Sequence, residues 1–441
     1  MTPTYDWPWV ETQVSRTSEA WRECSALPLP CAPQFTRDEQ RRREAIYDRA
    51  VVAVERETAK MPGTAPDRAA VQNRLIKVFG NFAATALDLP GDAIDLITRD
   101  FVSLGADFAR QARRFDRSLS MEDIFQACRN AWTAGGLQSL LGERPAVTPS
   151  VLGYSLLYPY SDNYMDSTRL TAASKLRFSE RFRRRLRGEA LAPETDRETA
   201  IWGCVALVEA QYPRPAFPQV YDCLLAIHRA QENSISQSRK AGRADEQELL
   251  GISFAKGGSS VLADACLVSG RLRESDAALA FDWGAVLQLG DDLQDVREDL
   301  HRGSQTLFTR AIQSGPTLDA LAQQLLNFSE HVAIRMNQFP CGSAVLKDLL
   351  RTSWRSIILA AIASATDFFS PAFLDEIESG SPFRFEFLRS RNKRLARRNG
   401  LFAKLFDVII DEPGAQRSAA PAPAYIPSPI DTNCRWSSSA R

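Results

Sequence analysis

The residues best placed to do chemistry form one dense run, Gln288-Leu-Gly-Asp291-Asp292-Leu-Gln-Asp295-Val-Arg-Glu-Asp299-Leu-His-Arg302. On a helix turning 100° per residue, Gln288, Asp291, Asp292, Asp295, Asp299 and Arg302 fall within an arc of about 100°. Leu289, Leu293 and Val296 point elsewhere and can bury themselves. Four carboxylates on one face repel one another, and like-charge pairs destabilise an isolated helix. A hard divalent cation relieves that repulsion, taking one or two carboxylates and filling its shell with water and phosphate oxygens. A solvated acidic stripe is the plainer reading of the same residues.

A second, weaker cluster is Tyr158-Pro-Tyr-Ser-Asp162-Asn163-Tyr-Met-Asp166-Ser-Thr-Arg169. Asp162, Asp166 and Arg169 share a helical face, with Asn163 at its edge. Two carboxylates one turn apart can bridge metal ions, and an arginine can reach a phosphate oxygen. The same spacing also makes an ordinary surface ion pair. Between the clusters, Gly251-Ile-Ser-Phe-Ala-Lys256-Gly-Gly-Ser-Ser puts a lysine among small and apolar residues. Burying its charge needs an anion; otherwise it snorkels to solvent.

The elements that must position these groups read as helices. From Arg37 onward the chain is rich in Ala, Leu, Arg, Glu and Gln with apolar residues three and four apart, as over Glu39–Lys60, Ala70–Leu87, Ala93–Phe115 and Met121–Trp132. Strand-like alternation is nearly absent. Thr148-Pro149 reads as a helix start, and Pro159 as a kink or a new beginning. Gly135-Gly136, Gly257-Gly258 and Ser379-Gly-Ser-Pro382 read as breaks. Residues 1–35, rich in Pro and Trp, read as an arm. Residues 36–410 read as one all-α domain, and 411–441, rich in Pro, Ala and Ser, as a disordered tail.

Together these residues resemble the class I isoprenoid synthase superfamily, over roughly residues 120–310. Gln288-x-x-Asp291-Asp292-x-x-Asp295 with Lys256 upstream is similar to the second half of trans-prenyl diphosphate synthases such as farnesyl diphosphate synthase. Asp299-Leu-His-Arg-Gly-Ser-Gln-Thr306 is similar to that family's Asp-Leu-x-x-Gly-Lys-x-Thr, with Ser304 in the lysine's place. The first cluster departs from the head-to-tail synthases, which carry Asp-Asp-x-x-Asp and paired arginines. It is closer to large bacterial terpene synthases and to squalene and phytoene synthases. Asn233, Ser236 and Lys240 have the spacing of the terpene synthase Asn/Asp…Ser…Glu triad, but a lysine cannot replace its glutamate as a ligand.

The resemblance implies a helical bundle around a deep central pocket. It implies three Mg²⁺ ions with bound diphosphate, held by Asp162, Asp166, Asp291 and Asp295 with Asp292 and Asp299 in support. Arg169, Lys256, Gln288 and Arg302 would bind diphosphate, and Tyr154, Leu157, Tyr158 and Phe254 would line the pocket. The expected activity is ionisation of a prenyl diphosphate to a terpene hydrocarbon or alcohol. The alternatives are prenyl transfer, head-to-tail or of the squalene/phytoene type, and a non-catalytic helical module. Relatives are usually dimers, so a homodimer is expected.

Bulk properties narrow the rest. Lys+Arg and Asp+Glu both number 54, which argues against a nucleic-acid partner. Eight scattered cysteines show no disulfide or metal spacing, and neither a signal peptide nor an apolar run of membrane-spanning length is visible. A cytoplasmic location is expected. The basic stretches 177–187 and 389–398 read as solvated faces, the second with a possible peripheral membrane contact through Leu401, Phe402, Leu405 and Phe406.

Overall fold

Side-chain caps decide where this chain turns helical. Thr36 and Glu39 close a reciprocal capping box before one helix, and Ser120 and Asp123 before another, each pair satisfying N–H groups that a helix start leaves open. Thr148 accepts from the Val151 amide ahead of Pro149, where a missing N–H costs nothing.

The computed structural model describes residues 4–24, 34–59, 64–166, 170–237, 244–315, 317–396 and 408. The protein is all-α, with no strand among the described residues. The chain opens with α1 (Trp7–Glu23), α2 (Arg37–Glu57) and α3 (Ala65–Ala86). Next come α4 (Gly91–Leu96), a π-helical turn and α5 (Val102–Phe115), which run on without a break. The central helices are α6 (Met121–Leu141), α7 (Pro149–Asp166), α8 (Ala172–Leu186), α9 (Asp196–Gln211), α10 (Pro218–Gln237), α11 (Glu246–Ser269), α12 (Glu274–Gln294) and α13 (Val296–Arg302). The last are α14 (Leu307–Ser314), α15 (Asp319–Arg335), α16 (Ala344–Ser364), α17 (Pro371–Ser379) and α18 (Phe385–Ala396).

The core is centred on α11, whose buried positions run almost unbroken from Leu249 to Val268. It lies antiparallel to α12, with Ser253 bonded to Asp292 near one end and Gly257 against Gly284 further along. It is also antiparallel to α7, through Ser150 to Leu267 and Tyr154 to Ser260. The helix pair α6 and α7 closes over it through Asn130 and Ser155. The ends carrying Asp166, Lys256 and Asp291 therefore meet on one side of the bundle. Among the described residues no helix is long and apolar enough to cross a membrane.

Several sequence expectations need correction. Residues 1–35 are not simply an arm: Tyr5, Val10 and Trp21 are buried. Trp21 sits edge-on to Phe254 and Phe328. Asp282, buried on α12, accepts from Thr17 Oγ1 at 2.6 Å and Gln13 Nε2 at 3.4 Å and pairs with Arg335. Composition hid this stripe because Pro8 stands in the first turn, where a helix tolerates it. The glycine pairs 135–136 and 257–258 lie inside α6 and α11 rather than breaking them, and α7 continues through Pro159. The acidic run is not one helix, since α12 ends at Gln294 and α13 begins after a turn at Asp295.

Candidate active site

The two helices that carry the acidic run and the lysine touch backbone to backbone. A Cβ on Gly257 would stand 2.3 Å from the Gly284 carbonyl oxygen, and one on Gly284 would stand 2.0 Å from that of Gly257. At Gly258 it would meet the Phe281 ring at 2.5 Å. Only glycine allows that approach. It brings Ser253 Oγ within 2.6 Å of Asp292 Oδ2, while Gln288 Nε2 donates to Asp292 Oδ1 at 2.8 Å. Asp292 is thus buried with both oxygens occupied, and it pins α11 to α12. Gln288, expected to bind diphosphate, spends its amide on Asp292.

Asp291, Asp295 and Asp299 are the more available carboxylates. Asp291 and Asp295 are exposed and Asp299 half-buried. Loss of solvation nonetheless lifts Asp291 to about 6, with Asp292 and Asp295 adding to the rise and Arg129 and Lys256 opposing it. Asp299 is also lifted to about 6 by desolvation and by Asp292 and Asp295. Asp292 and Asp295 shift upward too, first through desolvation. Lys256, half-buried, acts electrostatically on Asp291, Asp292 and Asp295 at once. Arg302 is exposed and paired with Glu298, within electrostatic reach of Asp295 and Asp299.

Arg129 was missed in the sequence. It stands on α6, far from the acidic run in the chain, and nothing in Cys128-Arg129-Asn130 announces a site. Its guanidinium is the main group holding the Asp291 value down. Ser253 was missed as well, one turn before Lys256 on the same helix. Phe254 must be reassigned: it is buried against Trp21 and Phe328, on the face of α11 turned to α1 and α15. Leu157 is buried, and the half-buried Tyr154 donates from its hydroxyl to Ser260 O at 3.1 Å. The side chains of Tyr158, Asp162, Asn163, Asp166 and Ser236, and the whole of Arg169 and Lys240, lie outside the described residues. Asn233 is exposed.

Two surface cavities are described, and neither is lined by the acidic residues. One, of about 610 Å³, lies among α2, α17 and α18 beside Arg37, Arg384 and Arg389. The other, of about 230 Å³, lies between α1, α10 and α11. The arginines of α8 are largely spoken for, with Arg181 on Glu194 and Glu198 and Arg185 on Glu209, consistent with a charged protein face.

The donor set suits a hard cation. Every donor is an oxygen, and the lifted acids are those a positive charge would restore to the ionised state. Among the described residues no three His, Cys, Asp or Glu side chains converge to hold a metal by themselves.

No protein-family profile matches the chain, and no curated protein matches it. Among solved structures it is similar to a geranylgeranyl pyrophosphate synthetase from the archaeon Geoglobus acetivorans. The identity is 11% and the TM-score 0.33, over 64% of this chain and 97% of that one. A likeness that slight carries no argument about activity.

Proposed function

We propose that this chain is a Mg²⁺-dependent class I isoprenoid synthase that ionises a prenyl diphosphate. The observation that carries the reading is that Lys256 acts electrostatically on Asp291, Asp292 and Asp295 together, with Asp291 and Asp299 lifted first by desolvation and further by neighbouring carboxylates. An acidic stripe that merely faced water would not lift Asp291 and Asp299 to about 6.

In this reading Asp291, Asp295 and Asp299, with Asp162 and Asp166 from α7, would hold Mg²⁺, and Lys256 with Arg129 would bind diphosphate oxygens. Bound Mg²⁺ supplies Lewis-acid neutralisation of the leaving diphosphate. Asp292, fixed by Ser253 and Gln288, keeps its neighbours aimed without repacking during the reaction. The allylic C–O bond breaks with its electron pair leaving on diphosphate. The carbocation would have to be kept from bulk water by the apolar side chains of α6, α7, α11 and α12.

A terpene synthase acting on one substrate is the favoured form. Prenyl transfer is the second reading, favoured by Arg129, a cation on a separate helix that could take a second diphosphate. The test is incubation with Mg²⁺ and geranyl, farnesyl or geranylgeranyl diphosphate, each with and without isopentenyl diphosphate. Diphosphate release from one substrate supports the first form, and longer diphosphates formed only with isopentenyl diphosphate support the second. Asp291→Asn should lower release about a hundredfold or more with an unchanged circular dichroism spectrum. Wild-type turnover in that variant would sink the assignment.

A further inference from the structure

Toward the end of the bundle away from the acidic residues, two cysteines from neighbouring helices meet in the core. Cys223 Sγ on α10 and Cys266 Sγ on α11 stand 2.9 Å apart, and both side chains are wholly buried. That gap is about 0.9 Å longer than a disulfide bond, a difference that a small rotation of each side chain can close. The two are 43 residues apart in the chain, so spacing announced nothing, and only the packing of α10 on α11 brings them together.

Two tyrosines enclose the pair. Tyr5, ahead of α1, is wholly buried, donates from its hydroxyl to Leu272 O at 2.8 Å and lies within electrostatic reach of Cys266 and Cys223. Its ring stands edge-on to Trp9, which in turn stands edge-on to Phe281. Tyr212, at the end of α9, donates to Val268 O at 3.1 Å and is within electrostatic reach of Cys266. The thiols are thus carried by α10 and α11 and covered by the segment that leads into α1.

We propose that Cys223 and Cys266 are the site of a disulfide that staples α10 to α11, and that the segment carrying Tyr5 is the cover that keeps oxidants and reductants from it. The inference goes beyond the proposed function and does not depend on it. Burial, and then Cys266 beside it, hold the Cys223 thiol well above its ordinary range. The attacking species in thiol–disulfide exchange is a thiolate, so the exchange runs when this corner opens locally. One thiolate then attacks a sulfur of a small-molecule disulfide such as oxidised glutathione, forming a mixed disulfide and expelling one small thiolate. The second cysteine's thiolate attacks the protein sulfur of that mixed bond, closing Cys223–Cys266 and expelling the other. Two electrons pass to the oxidant, and the two cysteine protons end on the two small thiols released. Lys256 lies earlier on α11, about 15 Å along its axis, which keeps the staple clear of the acidic site.

The test holds the full-length protein in oxidised glutathione at a urea concentration below its unfolding transition. It then alkylates in full denaturant and maps peptides by mass spectrometry. Exposed Cys341 reports that the reagent is active. The wild type should yield a peptide pair joined through Cys223 and Cys266 and separated by reduction. The bonded protein should melt about 3 °C or more above the reduced protein, and Cys223→Ala should abolish both effects. Tyr5→Ala, which removes the cover, should form the joined pair about tenfold faster or more. Cys223 and Cys266 both recovered alkylated from the wild type, while Cys341 carries glutathione, overturn the site. So does either of them joined to a different cysteine instead. Equal rates in wild type and Tyr5→Ala overturn the cover and leave the bond standing. An unchanged melting temperature in the bonded protein overturns the staple as a stabilising link. No turnover is read in any arm, so failure here is distinct from failure of the proposed function.

Discussion

Two helix seams in this protein carry buried or half-buried acids, and they treat them in opposite ways. Where α8 meets α10, Glu232 accepts from Ser179 Oγ at 2.5 Å and lies 3.5 Å from His228 Nε2. These partners, His228 foremost, pull its carboxyl down to about 2. Where α11 meets α12 and the chain runs on into α13, Asp291 and Asp299 are lifted to about 6 instead. The first seam is electrostatically complete within the chain. In the second, Arg129 and Lys256 oppose the rise at Asp291 without cancelling it, and the proposed cation site rests on that contrast.

The largest expected effect tests what builds the second seam. Gly257→Leu should cost about 3 kcal/mol or more, read as a drop in unfolding midpoint, because its side chain would run into the Gly284 carbonyl and Gln288 Cβ. A midpoint within about 2 °C of wild type would show that the helices are not in backbone contact.

Next comes the pH dependence without metal. Asp291 and Asp299 have folded-state values, about 6, above their ordinary 3.8. The folded state therefore holds more protons between those values, and stability should fall as pH rises from about 4 through about 6. Mg²⁺ with inorganic diphosphate should flatten that slope, and Asp299→Asn should reduce it. A slope indifferent to both would erase the contrast between the seams.

Glu232 should behave in the opposite sense. Its folded value lies below its ordinary 4.5, so its contribution is present above 4.5 and is lost as pH falls toward about 2. Glu232→Gln should cost about 1–2 kcal/mol in chemical denaturation at neutral pH, insensitive to Mg²⁺. A Mg²⁺-dependent effect would place α8–α10 inside the site. The smallest effect is expected at Arg302→Ala, within about 0.5 kcal/mol because its pair with Glu298 is exposed. Any larger loss of stability would mean that Arg302 anchors α13.

Asp291, Asp292 and Lys256 stand out in the sequence by charge and spacing, but the single helical face expected from Gln288 to Arg302 ends at Asp295, where α12 gives way to α13. The all-helical class was legible, from three- and four-residue apolar spacing and caps such as Thr148. What was not legible depends on partners distant in the chain. Gly257-Gly258 looks like a helix breaker until Gly284 and Phe281 are set against it. Arg129 becomes part of the site only when α6 is laid beside α12. Phe254 was the avoidable error, since two residues on a helix are 200° apart and Lys256 already claimed the other face. The tryptophans of the first 24 residues look like the composition of a loose arm, yet Trp21 fills a gap between Phe254 and Phe328.

The glycine seam has a mechanical meaning. Helices in backbone contact cannot slide, because a one-residue slip of 1.5 Å would drive a Cβ into a carbonyl. α11 and α12 therefore move as a single plate, carrying Lys256, Asp291 and Asp292 at fixed spacing. The regular helix is interrupted next at Asp295, where φ −91° and ψ 2° separate α12 from α13. Asp295 thus stands where this fixed pair hands over to α13, which carries Asp299 and Arg302.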